Sequence, residues 1–235
     1  MSTHTDSAIQ DIKQPVTYCR LLASVGILVL IAGSYAHYVN GQLIDNQNID
    51  LTAQRINDAP LLMRSGIVAA MLMEIIFIFY AYGLYKLLKH VQNDYAHFLL
   101  IFALIPVPVF LYNLVNLTAV LEAAGNFALD DIALYLKLGR NGSAIAAIFF
   151  GLWLFPLGYL VYKSNFLPKW IGLLLMIGSP GYVISFFQVY LFPDLALSLW
   201  SNPILLITHI SELSLMIWLL VKGVDLIRWE KSLKV

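Results

Sequence analysis

Six stretches of apolar residues, each long enough to cross a lipid bilayer, restrict the fold of this chain more than any other feature. They cover residues 21–39, 61–88, 98–121, 144–162, 167–191 and 203–221. The hydrocarbon core of a bilayer is about 30 Å thick, so a helix needs about 20 apolar residues to cross it. Within it, only helices and closed barrels satisfy all backbone polar groups. The pattern predicts an all-α integral membrane bundle of six transmembrane helices.

The composition excludes several other classes of protein. Hydrophobic residues make up 60% of the 235 positions and charged residues 12%, whereas soluble domains carry roughly 25% charged residues. The 14 Lys and Arg residues balance the 14 Asp and Glu residues, so no basic surface for nucleic acid is expected. Cys19 is the single cysteine, which excludes a disulfide or a thiolate metal cluster within one chain.

The whole chain is expected to form one six-helix transmembrane domain, residues 1–235, with a short polar tail at 1–17 and a basic tail at 224–235. The start of the chain also resembles a secretion signal, because Lys13 and Arg20 precede an apolar run and the small-x-small pattern Ser34-Tyr35-Ala36 follows it. We expect an uncleaved first helix instead, since the apolar stretch continues to Val39.

The distribution of basic residues predicts the orientation in the membrane. Ten of the 14 lie on the side that holds both termini, and the other side has only Arg55, Arg64, Lys137 and Arg140. Because cytoplasmic loops are enriched in Lys and Arg, both termini are expected in the cytoplasm and the protein in the bacterial inner membrane. Trp229 is expected in a cytoplasmic aromatic belt and Trp200 in an outer one, with acidic Asp194 also outside.

Two carboxyl groups fall near the middle of the membrane, Glu74 in the second stretch and Glu212 in the sixth. A charged side chain there costs about 2.5–3.5 kcal/mol or more, so each is expected to face the bundle interior, either in a functional cavity or as a hydrogen-bonded link between helices. His209 lies three residues before Glu212, on the same helix face. The pair could exchange protons as acid and base, or the imidazole could simply bond a neighbouring helix.

Other polar residues cluster in the outer half of the spans. Asn113 and Asn116 are three apart on the third stretch, and Arg64 and Arg140 lie near the outer starts of the second and fourth. His37 and Gln188 fall at a similar depth. This distribution favours an outward-facing polar pocket, and two arginines favour an anionic or carboxylate-bearing ligand. The alternatives are interhelical amide bonds and arginines that reach lipid head groups.

Proline and glycine predict breaks in the spans. Gly178-Ser179-Pro180-Gly181 interrupts the fifth stretch, where the freed carbonyl groups should find polar partners on the second, third or sixth helix. Pro106, Pro108 and Pro156 are expected to bend the third and fourth helices. The longer connections 40–60 and 122–141 have room for structure, and Asp130 and Asp131 are expected to cap a helix start.

Familiar catalytic and metal-binding signatures are absent from the sequence. There is no phosphate-binding loop, no H-E-x-x-H, no G-x-S-x-G and no cysteine pair. We therefore predict no metal site and no cofactor. Whether the protein is an enzyme is left open, with a non-enzymatic function favoured.

Several segments make the chain similar to a bacterial family of six-helix membrane proteins known as a domain of unknown function, DUF4386. They are Arg64-Ser65-Gly66-Ile67-Val68 with Glu74, Asn113-Leu114-Val115-Asn116-Leu117, Phe149-Phe150-Gly151-Leu152, Gly158-Tyr159-Leu160 and Ser211-Glu212-Leu213. The resemblance implies a fold and a membrane location but no activity. It also implies a histidine where this chain has Trp153, which weakens a histidine-based mechanism.

The leading functional hypothesis is a small-ligand binding or transport-related membrane protein. Its outward pocket would be lined by Arg64, Glu74, Asn113, Asn116, Arg140, His209 and Glu212. The rivals are a membrane-embedded enzyme acting on a lipid or a small periplasmic substrate, with His209 and Glu212 as acid and base, and a structural or accessory subunit. The lipid bilayer is the expected partner, an anionic or carboxylate-bearing small molecule is a candidate ligand, no nucleic acid is expected, and the oligomeric state is left open.

Overall fold

The computed structural model describes residues 12–192 and 203–233, and in these ranges it contains helices and no strands. Eleven helices occur there: α1 (Pro15–Leu43), α2 (Ile49–Asp58), α3 (Pro60–Leu88), α4 (Asn93–Leu104), α5 (Pro106–Gly125), α6 (Leu129–Leu152), α7 (Leu154–Ser164), α8 (Lys169–Gly178), α9 (Pro180–Leu191), α10 (Pro203–Val221) and α11 (Leu226–Ser232). The expectations for Asp194, Trp200 and most of the polar tail fall outside the described residues. α1 already begins at Pro15, inside the tail predicted for 1–17.

The described part of the chain forms six spans, as predicted. α1, α3 and α10 each cross alone, whereas α4–α5, α6–α7 and α8–α9 each form one span in two pieces. The shortest span has 19 residues, which at about 1.5 Å per residue still reaches across most of a hydrocarbon core. Large apolar side chains such as Phe79, Tyr112 and Ile177 cover the outside of the bundle. The chain is a multi-pass membrane protein.

The three interrupted spans break where proline predicts. α5 begins at Pro106, α9 begins at Pro180, and α7 carries Pro156 in its first turn. A proline has no N–H to donate and its ring collides with the preceding turn, so an uninterrupted helix through it is disfavoured. The predicted break of the fifth span is therefore confirmed, and the third and fourth spans are also interrupted beside their prolines.

The two ends of the bundle differ in structure. We call the end that holds the start of α1, the links α3–α4 and α7–α8, and α11 the proximal face, and the opposite end the distal face. The distal connection 40–60 contains α2. The Asn48 side chain caps the first turn of α2, because its Oδ1 accepts a hydrogen bond from Leu51 N at 2.9 Å. Helix α6 begins at Leu129, well before the fourth apolar stretch. Its N-cap residue is Ala128, so Asp130 and Asp131 lie in the first turn rather than at the cap.

Three groups of buried side chains occur among the described residues. The largest lies mainly in the proximal half, the second joins α1, α2, α3, α5 and α6 at the distal face, and a small third one consists of Ala36, Ala70 and Leu114. Trp229 of α11 lies in the largest group, in edge contact with His90 and Phe166 at ring-centroid distances of 4.7 and 4.8 Å. Its predicted place in an aromatic belt is wrong, because α11 folds back and packs that ring against the α3–α4 and α7–α8 links.

Candidate functional site

A cavity of about 450 Å³ lies between α1, α3, α5 and α6 in the distal half of the bundle. We call it the distal cavity. Its deeper wall is apolar, with Ala70, Met73 and Phe110 among its residues. Polar side chains line the remainder: His37, Asn40, Asn46, Asn113, Arg140 and Ser143. A mostly apolar cavity with a few convergent polar groups is typical of small-molecule sites.

One wall of the distal cavity is a network built around Asn113. Its Nδ2 donates to the Gly139 carbonyl at 2.8 Å and to Ser143 Oγ at 3.0 Å, and its Oδ1 accepts from Asn116 Nδ2 at 2.8 Å. The side chain packs directly onto Gly142, where a Cβ atom would collide with the amide. These bonds tie α5 to α6, so Asn113 is a fixed polar feature of the wall.

Arg140 supplies the cation of the distal cavity. Its Nη1 donates to Asn46 Oδ1 at 2.7 Å, which ties the segment after α1 to α6. A guanidinium has five N–H donors, and the described residues accept a hydrogen bond from only one of those of Arg140. Among the described residues that line the cavity there is no Asp or Glu. The cavity therefore presents unused cationic donors without a neutralising carboxylate.

Glu74 lies just beneath the apolar wall. Its neighbour Met73 and Ala70, one turn away, both line the cavity, but Glu74 itself is only 1% exposed and does not. Its Oε2 has no hydrogen-bond partner among the described residues. One turn further, Phe77 packs edge-on against Trp153 with ring centroids 5.2 Å apart, and the buried Trp153 Nε1 also lacks a partner there. The prediction that Glu74 faces the bundle interior is confirmed.

His209 and Glu212 form a separate cluster on α10. His209 Nδ1 is 3.9 Å from Glu212 Oε2, and the His209 ring meets the Tyr182 ring edge-on at 5.8 Å. The Glu212 side chain is partly buried, with 23% of it exposed. Neither His209 nor Glu212 lines the distal cavity.

The predicted set of seven residues is thus distributed over several places. Asn113 and Arg140 line the distal cavity. Asn116 does not line it but donates a hydrogen bond to Asn113, and Glu74 is buried beneath the apolar wall. Arg64 is exposed on α3 and does not line the cavity. His209 and Glu212 of α10 do not line it either. No group of three or more His, Cys, Asp and Glu residues that could hold a metal ion occurs within residues 12–192 and 203–233.

Three polar residues of the cavity were not predicted from the sequence: Asn40, Asn46 and Ser143. Asn40 was placed in a connection because the apolar stretch ends at Val39, whereas α1 continues to Leu43. It follows His37 by three residues, a spacing that puts both on one helix face and could have revealed it. Asn46 lies in a connection, and its position carries no periodic signal.

Comparisons with known proteins agree with the membrane fold and supply no activity. A family model described as Domain of unknown function (DUF4386) matches residues 23–223. An uncharacterized protein of the archaeon Archaeoglobus fulgidus is 33% identical over 161 residues, which are 67% of this chain and 83% of that protein. No solved structure matches the chain.

Proposed function

Because the chain belongs to the family described as Domain of unknown function (DUF4386), which has no activity to transfer, we propose a function from the geometry of the distal cavity. The protein binds a small anionic ligand there, in a binding or transport-related role, and a carboxylate-bearing molecule fits the site best. The cavity volume of about 450 Å³ lies within the range of about 300–1,000 Å³ common for small-molecule sites.

The observation that carries this proposal is the state of Arg140. Its guanidinium is fixed by one bond to Asn46 and has further donors available at the cavity wall. A planar guanidinium binds a carboxylate through two parallel N–H bonds, which gives both affinity and orientation. The Ser143 hydroxyl on the same wall, which accepts a hydrogen bond from Asn113, would donate its own proton to the ligand.

The alternatives receive less support. An enzyme that used His209 and Glu212 as acid and base would need a substrate site beside both side chains, and neither of them lines the distal cavity. An Arg140 that served only to reach lipid head groups would not need its bond to Asn46 across the cavity.

Thermal unfolding of the purified protein with a panel of small mono- and dicarboxylates, phosphates and amines tests the proposal. Carboxylate-bearing compounds should raise the apparent melting temperature in a concentration-dependent way. Arg140→Gln should weaken the best binder by about 10- to 100-fold, because a hydrogen bond to a charged group is worth about 1.5–3 kcal/mol.

Arg64→Gln is the matched control, because Arg64 is exposed and lies outside the cavity. It should leave the affinity unchanged. Equal stabilisation by anions and amines, or a ligand affinity of Arg140→Gln equal to that of the wild type, would contradict the proposal.

We further propose that the proximal face lies in the cytoplasm and that the membrane is the cell's inner membrane. The basis is the ratio of ten basic residues to four between the two sides of the sequence. Asp50, in the first turn of α2 at the distal face, offers a test. In a Cys19→Ala background, Asp50→Cys should react with an impermeant thiol reagent in intact cells, and protection from the reagent would refute the orientation.

A further inference from the structure

A second concave region, of about 740 Å³, opens at the proximal face. We call it the proximal groove. It lies between the start of α1, the α7–α8 link and the turn from α10 into α11. These are ends of membrane spans, so the groove is at the depth where lipid head groups meet the acyl chains.

Backbone bonds give the proximal groove a fixed shape. α10 stops at a glycine with positive φ, Gly223 at 69°, whose N–H donates back to the Trp218 carbonyl at 3.0 Å. The next turn is pinned to the α7–α8 link by a bond from Asp225 N to the Phe166 carbonyl, also 3.0 Å. α11 is therefore held against the bundle as one side of the groove.

Two cations line this groove. Arg228 Nη1 donates to the Asn165 carbonyl at 3.1 Å and its Nε lies 3.5 Å from Asp225 Oδ2, so it is held in position by groups of the groove itself. The ammonium group of Lys222 has neither an ion pair nor a hydrogen bond with any of the described residues. The groove thus offers one positioned guanidinium, partly neutralised by the Asp225 carboxylate that also lines the groove, and one unengaged ammonium.

The remaining lining is apolar and open to the surroundings. Ile227 is 70% exposed and Leu226 is 49% exposed, and Trp218 and Val16 lie on the same lining. An apolar surface beside two cations, at the end of a membrane span, fits a ligand with an anionic head and a hydrocarbon tail. We infer that the proximal groove is a binding site for an anionic phospholipid, with Lys222 and Arg228 on its phosphate and Trp218 and Leu226 along an acyl chain.

Native mass spectrometry of the detergent-purified full chain can measure this binding. Titration with phosphatidylglycerol and with phosphatidylcholine of identical acyl chains should show tighter binding of the former. Lys222→Gln should weaken phosphatidylglycerol binding by about fivefold, the effect expected for one basic residue at an anionic lipid. Lys222→Arg keeps the charge and should bind as wild type, which separates a lost contact from a lost fold.

Lys231→Gln is the matched control, since Lys231 is exposed on the same helix, α11, but does not line the groove. It should leave the lipid affinity unchanged. Three results would overturn the inference: equal affinity for the two lipids, an equal loss in Lys222→Gln and Lys231→Gln, or glycerol phosphate without acyl chains binding as tightly as the lipid. Selectivity that emerges only after removal of residues 1–11 would also overturn it, because that segment would then be the occupant.

Discussion

The hydroxyl group of Thr208 donates a hydrogen bond of 2.6 Å to the carbonyl oxygen of Gly178, at the break between α8 and α9. The two residues are in van der Waals contact, because a Cβ atom at Gly178 would lie 2.8 Å from Thr208 Cα. A second bond, from Ser179 Oγ to the Gly151 carbonyl at 2.8 Å, links this break to the one between α6 and α7. A polar partner from the sixth span thus lies beside the break, on the Gly178 carbonyl rather than on that of Met176, and the Ser179 bond connects the breaks of two spans.

Replacing Thr208 by valine should destabilise the bundle. The substitution keeps the side-chain shape and removes the donor, which leaves the Gly178 carbonyl without its interhelical partner in an apolar setting. Interhelical hydrogen bonds in membranes contribute about 0.6–2 kcal/mol, and the free energy of unfolding should fall by that amount. Thr118→Val is the control, because that hydroxyl bonds only Val115 of its own helix. Equal unfolding free energies for Thr208→Val and wild type would contradict the role given to this bond.

Gly158 should tolerate no side chain. A Cβ atom there would lie 2.7 Å from the Gly172 carbonyl oxygen and 2.8 Å from Met176 N, so the backbones of α7 and α8 are in direct contact. Gly158→Ala should therefore cost about 1–3 kcal/mol, the usual range for overpacking. At Gly125 no atom lies within 4 Å of the corresponding position, and Gly125→Ala should be close to neutral. Similar thermal stabilities of the two variants would show that the helices can separate without cost.

The Glu74 side chain should lower the stability of the protein. Its carboxyl is buried and one of its oxygens has no partner among the described residues, so a neutral apolar side chain should be accommodated at lower cost. Glu74→Leu is expected to raise the apparent melting temperature, and Glu74→Gln to leave it near the wild-type value. A clear loss of stability in Glu74→Leu would instead assign the carboxyl a structural role in joining helices.

His90 should make the docking of α11 sensitive to acid. Its ring stacks on Phe166, meets Trp229 edge-on, and its Nε2 lies 3.1 Å from Ser232 Oγ. Burial, together with the charge of Lys89, lowers the pKa of His90 to about 4. The unfolded state, with a His pKa of about 6.5, binds more protons between these values, so stability should fall as the pH drops from about 6.5 towards 4.

The apparent melting temperature at neutral pH and at about pH 5 measures this effect. His90→Phe keeps an aromatic ring and cannot titrate, so the difference between the two temperatures should shrink. His97→Phe, the same change at an exposed histidine of α4, should leave the difference as in wild type. An unchanged difference in His90→Phe would contradict the proposed linkage.

The sequence predicted the spans and their breaks because both depend on local properties, the length of apolar runs and the positions of proline. It could not predict which side of each span faces inward. The spans are apolar on all sides, since lipid and core favour the same residues, so Arg64 and Arg140 looked equivalent although only Arg140 lines the cavity. The family resemblance is confirmed, and it left the same question open because it carries no site.

The position of α11 could not be predicted from the sequence either. It depends on contacts of Trp229 with His90 and Phe166, and no local sequence pattern encodes contacts between residues so far apart in the chain. The separation of the α10 pair from the distal cavity has a similar origin. Depth in the membrane placed His209 and Glu212 near the outer polar residues, but depth alone does not determine the position around the bundle.

The central claim, that the distal cavity is accessible and electropositive through Arg140, is tested most directly by charged thiol reagents. Gly41 lines the cavity and Gly125 does not, and a side chain at either position meets no atom within 4 Å. Gly41→Cys and Gly125→Cys in a Cys19→Ala background would each be reacted with an anionic and a cationic methanethiosulfonate.

The ratio of anionic to cationic reaction rates should be several-fold higher at Gly41→Cys than at Gly125→Cys, because the guanidinium attracts the anion. Adding Arg140→Gln should bring the ratio at Gly41→Cys down to that of the control position. A ratio that is equal at the two positions, or one that Arg140→Gln does not change, would contradict the account.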